Sequence, residues 1–386
     1  MKRIKNFALF CTAIALLSAP AFSFDWGGKI YSDTSFIGKN NEALKLKETD
    51  NANLWLSVPL SKDNSKYFSA EALYQFKYDD SLPSDKMVNT IDLSLFKFVA
   101  RQKLSGGKRF AVSAGRFGVS DLTGKVFAQN SDGVLLQFST LRFNTSLYGG
   151  YTGLLNANTT TILNNPEGTS WTIGDNAVYR LAPKYIPFGL NLSFPSLFAN
   201  QTLSLQGWGF IDANDNDYNR WYGILGLNGF LASSLSYSAK TVFQSVNFES
   251  LSNLSELSFF WYLTDTLSMN LGGVYASGKS GNISAFRGFS SCTALLSAKE
   301  PEYSSLVKAE LGITKTFGQA VYLNGGTAVA FSLEEENEGY KGIQFQAGGM
   351  YKVFNDVQLG ANFSQFVGKE TQDNRTSISV KAILVF

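Results

Sequence analysis

The chain contains 386 residues, of which 17% are charged and 14% aromatic, with 35 glycines and no histidine. A typical soluble domain has about 25% charged residues, so this sequence is poor in charge. Lys and Arg number 33 against 31 acidic residues, and no basic patch of the kind that binds nucleic acid stands out. Without histidine, Ser–His and Asp–His catalysis and most zinc sites are excluded. We therefore predict neither an enzyme nor a nucleic-acid-binding protein, and no cofactor or metal.

Residues 1–23 show the three parts of a secretory signal peptide. Three basic residues precede a short apolar run at 7–17, and small residues follow as far as Ser23. Cleavage after Ser23, or alternatively after Ala21, would leave one mature domain over 24–386. A membrane anchor is disfavoured because the apolar run is shorter than the roughly 20 residues that span a bilayer. The chain is therefore predicted to be exported.

Side chains alternate between apolar and polar along most of the mature chain. Between Tyr67 and Tyr78, one set of alternate positions is apolar or aromatic and the other is mostly polar. Wound as a helix, the aromatics would point in every direction, whereas a strand places them on one face. The same period recurs at 202–211, 343–351 and 376–386. These segments are predicted to be β-strands with one apolar face.

The alternation predicts about 18 strands in total, within a range of about 16 to 18. Their predicted spans are 25–37, 51–60, 66–78, 88–100, 108–117, 132–141, 142–153, 185–194, 200–212, 219–231, 234–246, 253–263, 266–277, 303–315, 319–333, 340–352, 356–367 and 374–386. An even number in this range is typical of bacterial membrane barrels.

The connections between these strands alternate in length. The longer ones follow odd-numbered strands, at 38–50, 79–87, 118–131, 154–184, 213–218, 247–252, 278–302, 334–339 and 368–373. Those after even-numbered strands are mostly tight, as at Ala232–Ser233 and Phe354–Asn355. Outer-membrane barrels have short periplasmic turns and long extracellular loops, whereas a soluble sandwich or propeller has no reason to. We therefore predict an all-β fold, a closed antiparallel transmembrane β-barrel in the cell outer membrane.

The end of the chain adds a resemblance to a known family. The last predicted strand ends in Lys381-Ala-Ile-Leu-Val-Phe386. Together with the signal peptide and the near-complete strand coverage, it resembles the porin-type outer-membrane barrels. The resemblance implies that the barrel-assembly machinery reads the terminal Phe386 and that outer-membrane lipid surrounds the barrel. The strand order places this last strand beside the first, near Tyr31, and leaves open whether the barrels form a homo-oligomer.

A second, local resemblance lies around the third predicted long loop. Gly115-Arg116-Phe117 precedes this loop, and Asp132-Gly133 opens the next strand. The pattern is similar to porins in which the third extracellular loop folds inward and narrows the channel. The resemblance implies that Arg116, Asp121, Lys125 and Asp132 line a constriction. The alternative is a solvated surface loop with a glycine turn.

The polar faces of the strands suggest the function. The charged residues predicted to line the pore are Glu71, Lys77, Asp92, Arg109, Lys240, Lys308 and Glu310. A barrel of this size leaves an aqueous channel rather than a filled interior. We therefore predict a porin-like channel for passive diffusion of small hydrophilic solutes, with weak ion selectivity because both signs of charge are present. Pairing of these charges across the lumen as struts is a compatible alternative.

Other interpretations stay open at this point. Inward-facing Phe96, Trp208, Tyr222 and Phe230 are predicted either to pack beneath a loop or to form a sugar-stacking track. Long loops rich in Asn, Thr, Ser and Gly favour, as a second hypothesis, a surface-exposed barrel acting as an adhesin or a structural outer-membrane protein. A fatty-acid-type barrel for hydrophobic substrates is a third hypothesis, although the chain has little room for an amino-terminal hatch. The acidic run at 334–338 is interpreted as a solvated loop.

Overall fold

The computed structural model describes residues 24–39, 42–82, 86–163, 177–214, 217–281, 283–297, 301–334 and 338–386. The predicted signal peptide at 1–23, part of the loop at 154–184 and part of the acidic run lie outside these residues. Across the described segments, no helix is long and apolar enough to cross a membrane.

Eighteen strands make up most of the described chain. They are β1 (Asp25–Lys39), β2 (Lys45–Pro59), β3 (Lys66–Asp79), β4 (Met87–Lys103), β5 (Arg109–Ser120), β6 (Ala128–Ser139), β7 (Asn144–Tyr151), β8 (Tyr185–Phe198), β9 (Gln201–Asp212), β10 (Arg220–Ala232), β11 (Leu235–Val246), β12 (Ser252–Thr264), β13 (Leu267–Ala276), β14 (Leu306–Phe317), β15 (Val321–Ser332), β16 (Gly339–Lys352), β17 (Val357–Gly368) and β18 (Arg375–Val385). Two short 3-10 turns lie at Ser105–Gly107 and Thr371–Asp373. The predicted number of strands is confirmed.

Each strand pairs antiparallel with its neighbours in the chain, and β18 pairs with β1, so the sheet closes on itself. Closure leaves no edge strand, which is the condition for a sheet to cross hydrocarbon. At the seam, Tyr31 lies opposite Ile383, and Phe386 exchanges two backbone hydrogen bonds with Gly28, of 2.8 and 3.0 Å. The ring of Phe386 occupies the space that a Cβ atom on Gly28 would need. Glycine at position 28 therefore leaves room for the Phe386 ring to lie against the backbone.

The two faces of the barrel wall differ as the alternation predicts. On β9, Leu205 and Ile211 are exposed on the outside, whereas Trp208 and Phe210 are buried on the inside. Comparable exposed apolar side chains occur on strands all round the barrel. Such a belt is what contact with lipid requires.

A β-bulge in β4 interrupts this alternation. Glu71 pairs with Leu95 and the next residue of β3 pairs with Leu93, so Ser94 is an extra residue. A one-residue shift exchanges the two faces of a strand. Phe96, which the unbroken period predicts to face inward, lies outside with 49% of its surface exposed and packs edge-on against Phe68.

The long connections cluster at one end of the barrel, which we call the extracellular end. Two of them, 152–184 and 277–305, are far longer than the others. The first loop is shorter than predicted, because β2 already pairs with β1 from Lys45 onwards. The third is also shorter, because β5 and β6 continue to pair as far as Ser120 and Ala128.

The barrel interior is not hollow over its whole height. The extracellular half of the β5–β6 hairpin bends into the lumen and meets the described parts of the two long loops. We call the resulting apolar cluster the loop core; its loop and hairpin residues are Phe117, Val126, Phe127, Ile162, Phe286, Phe289 and Leu295, and its wall residues are Trp208, Phe210, Tyr222, Ile224, Val242 and Leu254. Backbone hydrogen bonds join the segments: Phe289 and Ser290 both donate to the Val126 carbonyl, and Leu163 donates to that of Phe289.

Candidate functional site

The third loop, 121–127, is folded around the side chain of Asp121. One carboxylate oxygen accepts the backbone N–H groups of Val126 and Phe127 at 3.0 and 2.9 Å. The other accepts the backbone N–H and the hydroxyl of Thr123 at 2.7 and 2.6 Å. Asp121 is only 5% exposed, so its carboxylate shapes the loop and is not open to the lumen.

The tip of this loop lies against the inner wall formed by β9–β12. The backbone N–H of Leu122 donates to the Gln206 side chain at 2.8 Å, and Lys125 forms an ion pair with Glu256. Lys240 pairs with the other oxygen of Glu256 at 2.8 Å. Two lysines and one glutamate thus form a cluster with one net positive charge.

The charge of Lys125 is well maintained. Burial lowers the pKa of its amine, but the charge of Glu256 and the hydrogen bond to it raise that pKa more, and the net shift is upward. The amine also lies 5.1 Å from the centre of the Tyr303 ring. A permanent positive charge therefore holds the loop tip against the wall.

Arg116 and Asp132 lie elsewhere, in the wall itself. The guanidinium of Arg116 makes two hydrogen bonds of 2.8 Å to Asp132 and one of 3.2 Å to Asp92. It also donates to the Leu154 carbonyl at 2.8 Å. Of the four residues predicted for a constriction, Lys125 is the one that contacts the opposite wall.

This ion-pair cluster marks the place where β5 leaves β4. The two strands pair from Lys103 only as far as Phe96. Beyond that point the side of β4 that no longer pairs with β5 is covered by the loop at 152–184. The backbone N–H of Ile91 donates to the Val178 carbonyl at 3.3 Å, and the Asn156 amide donates to the carbonyls of Ile91 and Val178. Arg116, Asp92 and Asp132 therefore join the inward-bending hairpin to the wall that it leaves.

The remaining predicted pore residues occupy varied environments. Glu71 accepts hydrogen bonds of 2.7 Å from Asn53 and Ser94. Lys77 reaches the Asn158 carbonyl in the loop at 152–184 at 3.2 Å, and Lys308 pairs with Glu310 at 2.8 Å. Arg109 is exposed at the periplasmic end of β5. Many of the charges thus form pairs or bind backbone carbonyls, but these contacts lie within one strand, between neighbouring strands or to a loop, and do not span the lumen as the strut alternative describes.

A second part of the inner wall is mostly polar, and its apolar cluster members, Leu306, Ala330 and Phe366, lie at its extracellular end. We call it the polar wall: it comprises the inner faces of β14–β18 and β1–β3, with side chains including Lys308, Glu310, Asn324, Gln346, Asn362, Lys381, Asp33, Asn51, Asn53, Glu71 and Gln75. Hydrogen bonds and ion pairs run from strand to strand along it, such as Lys381 with Asp33 at 3.3 Å. Gln75 likewise donates to Asn51 at 2.9 Å.

The inward aromatics fall on the other side of the lumen. Trp208 lies 5.4 Å from the Phe127 ring, and the hydroxyl of Tyr222 donates to the Arg287 carbonyl at 2.9 Å. Both are therefore packed beneath loops. Phe230, near the periplasmic end, is 59% exposed and outside this cluster.

Sequence reasoning missed two residues of the lumen. Glu256 could have been found, since a carboxylate within an apolar strand must face the lumen. Tyr303 could not: the alternation predicts it as the first residue of the strand over 303–315, whereas that strand begins at Leu306 and Tyr303 lies in the loop before it. Its position there depends on contacts with distant segments such as that of Lys125.

Comparisons with known proteins give a match in structure alone. No family model matches the sequence, and no curated protein matches it. The structure is similar to Pseudomonas aeruginosa OccK5 (OpdH), with a TM-score of 0.62 and 12% identity over 94% of this chain and 98% of that one. It is also similar to the outer-membrane protein OpdK of the same organism, with a TM-score of 0.61 and 10% identity over 94% and 98% of the two chains. A double variant of OccD1 (OprD) gives 0.58 and 10% over 95% and 97%.

The chain therefore has the fold of the outer-membrane porins, and the prediction of a porin-type, eighteen-stranded barrel is confirmed. This fold, with its exposed apolar belt, places the protein in the outer membrane. Because the sequence identities are only 10 to 12%, these comparisons show a similarity of fold alone.

Proposed function

We propose that the protein is an outer-membrane channel for the passive diffusion of small hydrophilic solutes. The observation that carries this proposal is the polar wall, whose charged and amide side chains line the lumen on the side away from the loop core. A closed barrel of eighteen strands is wide enough to enclose an aqueous passage. The passage would run between the polar wall and the inward-folded loops.

The proposed channel discriminates weakly between ions. The polar wall mixes both signs, and pairs such as Lys381–Asp33 and Lys308–Glu310 cancel locally. The cluster of Lys125, Glu256 and Lys240 adds one net positive charge on the facing side. A slight preference for anions follows, far weaker than that of a ring of like charges.

The inward position of Lys125 supports a narrowing function for the third loop. Its tip lies against β9–β12, so the passage would be narrowed by the thickness of the loop core rather than by a charged ring. In this proposal Arg116, Asp92 and Asp132 brace the bend of the hairpin, and Asp121 holds the shape of the loop.

The structure favours the two alternative functions less. An adhesin would present its long loops outward, whereas much of the described part of 277–305, including Phe286 and Phe289, is buried in the lumen. A carrier of hydrophobic substrates would need an apolar path, whereas the wall away from the loop core is polar.

Planar-bilayer recording of the refolded, full-length mature chain tests the proposal. Stable single-channel steps with weak anion preference are expected. A refolded barrel that resists unfolding in detergent but carries no current would overturn the channel and leave the adhesin hypothesis standing.

A further inference from the structure

A cavity of about 430 Å³ lies on the polar wall beneath the loop at 277–305. Its floor is the inner face of β13–β18, and its roof is formed by residues 293–296 and Tyr303. A volume of this size is at the lower end of the range for small-molecule sites. The cavity therefore suits one small solute held at the side of the passage.

Three glycines on adjacent strands allow the floor to be lined with amides. Gly312 pairs with Gly326 across β14 and β15, and Gly348 lies on β16. A Cβ atom on Gly312 would collide with the side chain of Asn270, and one on Gly348 would collide with that of Asn362. Amide side chains therefore lie across the glycine positions, close against the wall.

Several of these amides have free hydrogen-bonding capacity. Asn270, Asn324 and Gln346 line the cavity, and none of them makes a side-chain hydrogen bond to a residue that the structure describes. By contrast, Gln344 accepts the backbone N–H of Leu296 at 2.7 Å and ties the roof to the floor. Each free amide offers both donors and acceptors. A ligand whose polar groups can each donate and accept a hydrogen bond, as hydroxyl groups do, matches such a floor.

The charges around the cavity cancel. Among the described residues that line it, the charged side chains are Lys308 and Glu310, which pair with each other at 2.8 Å. Lys308 is further held at 3.4 Å from the Ala294 carbonyl. A charged solute would lose hydration without gaining an unpaired counter-charge, so the cavity favours an uncharged one.

The roof has a different chemistry from the floor. Leu296 and Tyr303 form part of the roof above the amides, whereas the side chain of Leu295 is buried in the loop core. An apolar face opposite an amide face fits a ring that carries hydroxyl groups at its edge and C–H groups on its surface.

From these features we propose that the cavity is a binding subsite for a small, uncharged polyhydroxy solute of monosaccharide size. The subsite rests on the proposed channel function in so far as it would retain such solutes on their way through the lumen. Asn270, Asn324 and Gln346 bind the hydroxyl groups, and Tyr303 with Leu296 packs on the C–H face.

The test measures binding and conduction separately. Isothermal titration of the refolded, detergent-solubilised barrel with D-glucose is expected to show weak, saturable binding, while succinate, a charged solute of similar size, gives none. The double variant Asn324→Ala with Gln346→Ala should weaken glucose binding about tenfold, since each lost hydrogen bond contributes modestly. The matched control is Gln75→Ala, which removes an amide from the polar wall on β3 and should leave binding unchanged.

Bilayer recording of the same proteins separates the two proposals. Glucose should reduce the current of the unmodified channel in a saturable way, and the double variant, compared with its own current in salt alone, should lose that effect. Conduction with no glucose binding, or equal binding of glucose by the double variant, would overturn the subsite and leave the channel intact. Glucose binding without conduction would keep the subsite and overturn the channel.

Discussion

The two sides of the lumen are built from the same kind of strand but are filled differently. Around β9–β12 the inward positions hold Trp208, Phe210 and Leu254, and loop residues cover them. Along the polar wall the corresponding positions hold amides and charges, and space remains beside them. The difference teaches that an apolar residue on the inner face of a barrel indicates a covering segment, whereas a polar one indicates access to water.

A substitution in the loop core is expected to change stability and conductance the most. Phe127 is fully buried and lies against Phe210 and Phe289 at 5.2 and 5.5 Å. Phe127→Ala should cost about 4 kcal/mol of packing free energy and release the third loop from the wall. Thermal unfolding should shift downward and single-channel conductance should rise. Phe363→Ala, at an exposed outer position, is the control; a stable Phe127→Ala barrel with unchanged conductance would contradict the role of the loop core.

The ion-pair cluster at the bend gives the next largest effect. Arg116→Ala leaves Asp92 and Asp132 without their buried partner, which should cost about 3 kcal/mol in urea unfolding. Arg116→Lys should recover only part of this loss, because an ammonium cannot make the two-pronged contact with Asp132. If stability were unchanged while ion selectivity shifted, Arg116 would line a constriction instead of bracing the wall.

The closing seam predicts an effect on assembly rather than on transport. Deleting Phe386 removes the ring that lies over Gly28 and the two backbone hydrogen bonds between these residues. The fraction of folded barrel in the outer membrane should fall several-fold, measured by heat-modifiable migration on gels. Channels that do insert should conduct normally. Normal insertion of the shortened chain would reject the proposed recognition of Phe386 by the assembly machinery.

The smallest expected effect is on ion selectivity. Lys125→Glu changes the cluster with Glu256 and Lys240 from one net positive to one net negative charge, so the anion preference should shift toward cations by about twofold. Lys125→Gln should give an intermediate value in reversal-potential measurements. Since the pKa of Lys125 is shifted upward, its charge persists to higher pH, and the selectivity of the unmodified channel should not change between pH 7 and 9. A loss of selectivity in that interval that is absent from Lys125→Gln would show that Lys125 titrates there.

Much of the fold could be predicted because the signals for it are local. Alternation along each strand and the parity of the connections gave the eighteen strands, and the position of Phe386 beside the first strand followed from their order. The predicted inward orientation of Phe96 is wrong because of the bulge at Ser94, and nothing in the local sequence indicates that bulge. Lys125 contacts Glu256 and Tyr303, which lie more than a hundred residues away in the sequence. The alternation along the strands carries no information on such contacts.

The extra residue at Ser94 has a consequence for how this part of the chain can vary between related sequences. Many side chains of β4 could be exchanged for others of similar polarity without moving the wall. The number of residues between Asp92 and Phe96 is less constrained: without Ser94, Leu93 and Leu95 would pair in regular succession with Ala72 and Glu71, and Asp92 would still face the lumen and Phe96 the lipid. In this strand, the polarity of each face should be kept more faithfully than the exact length.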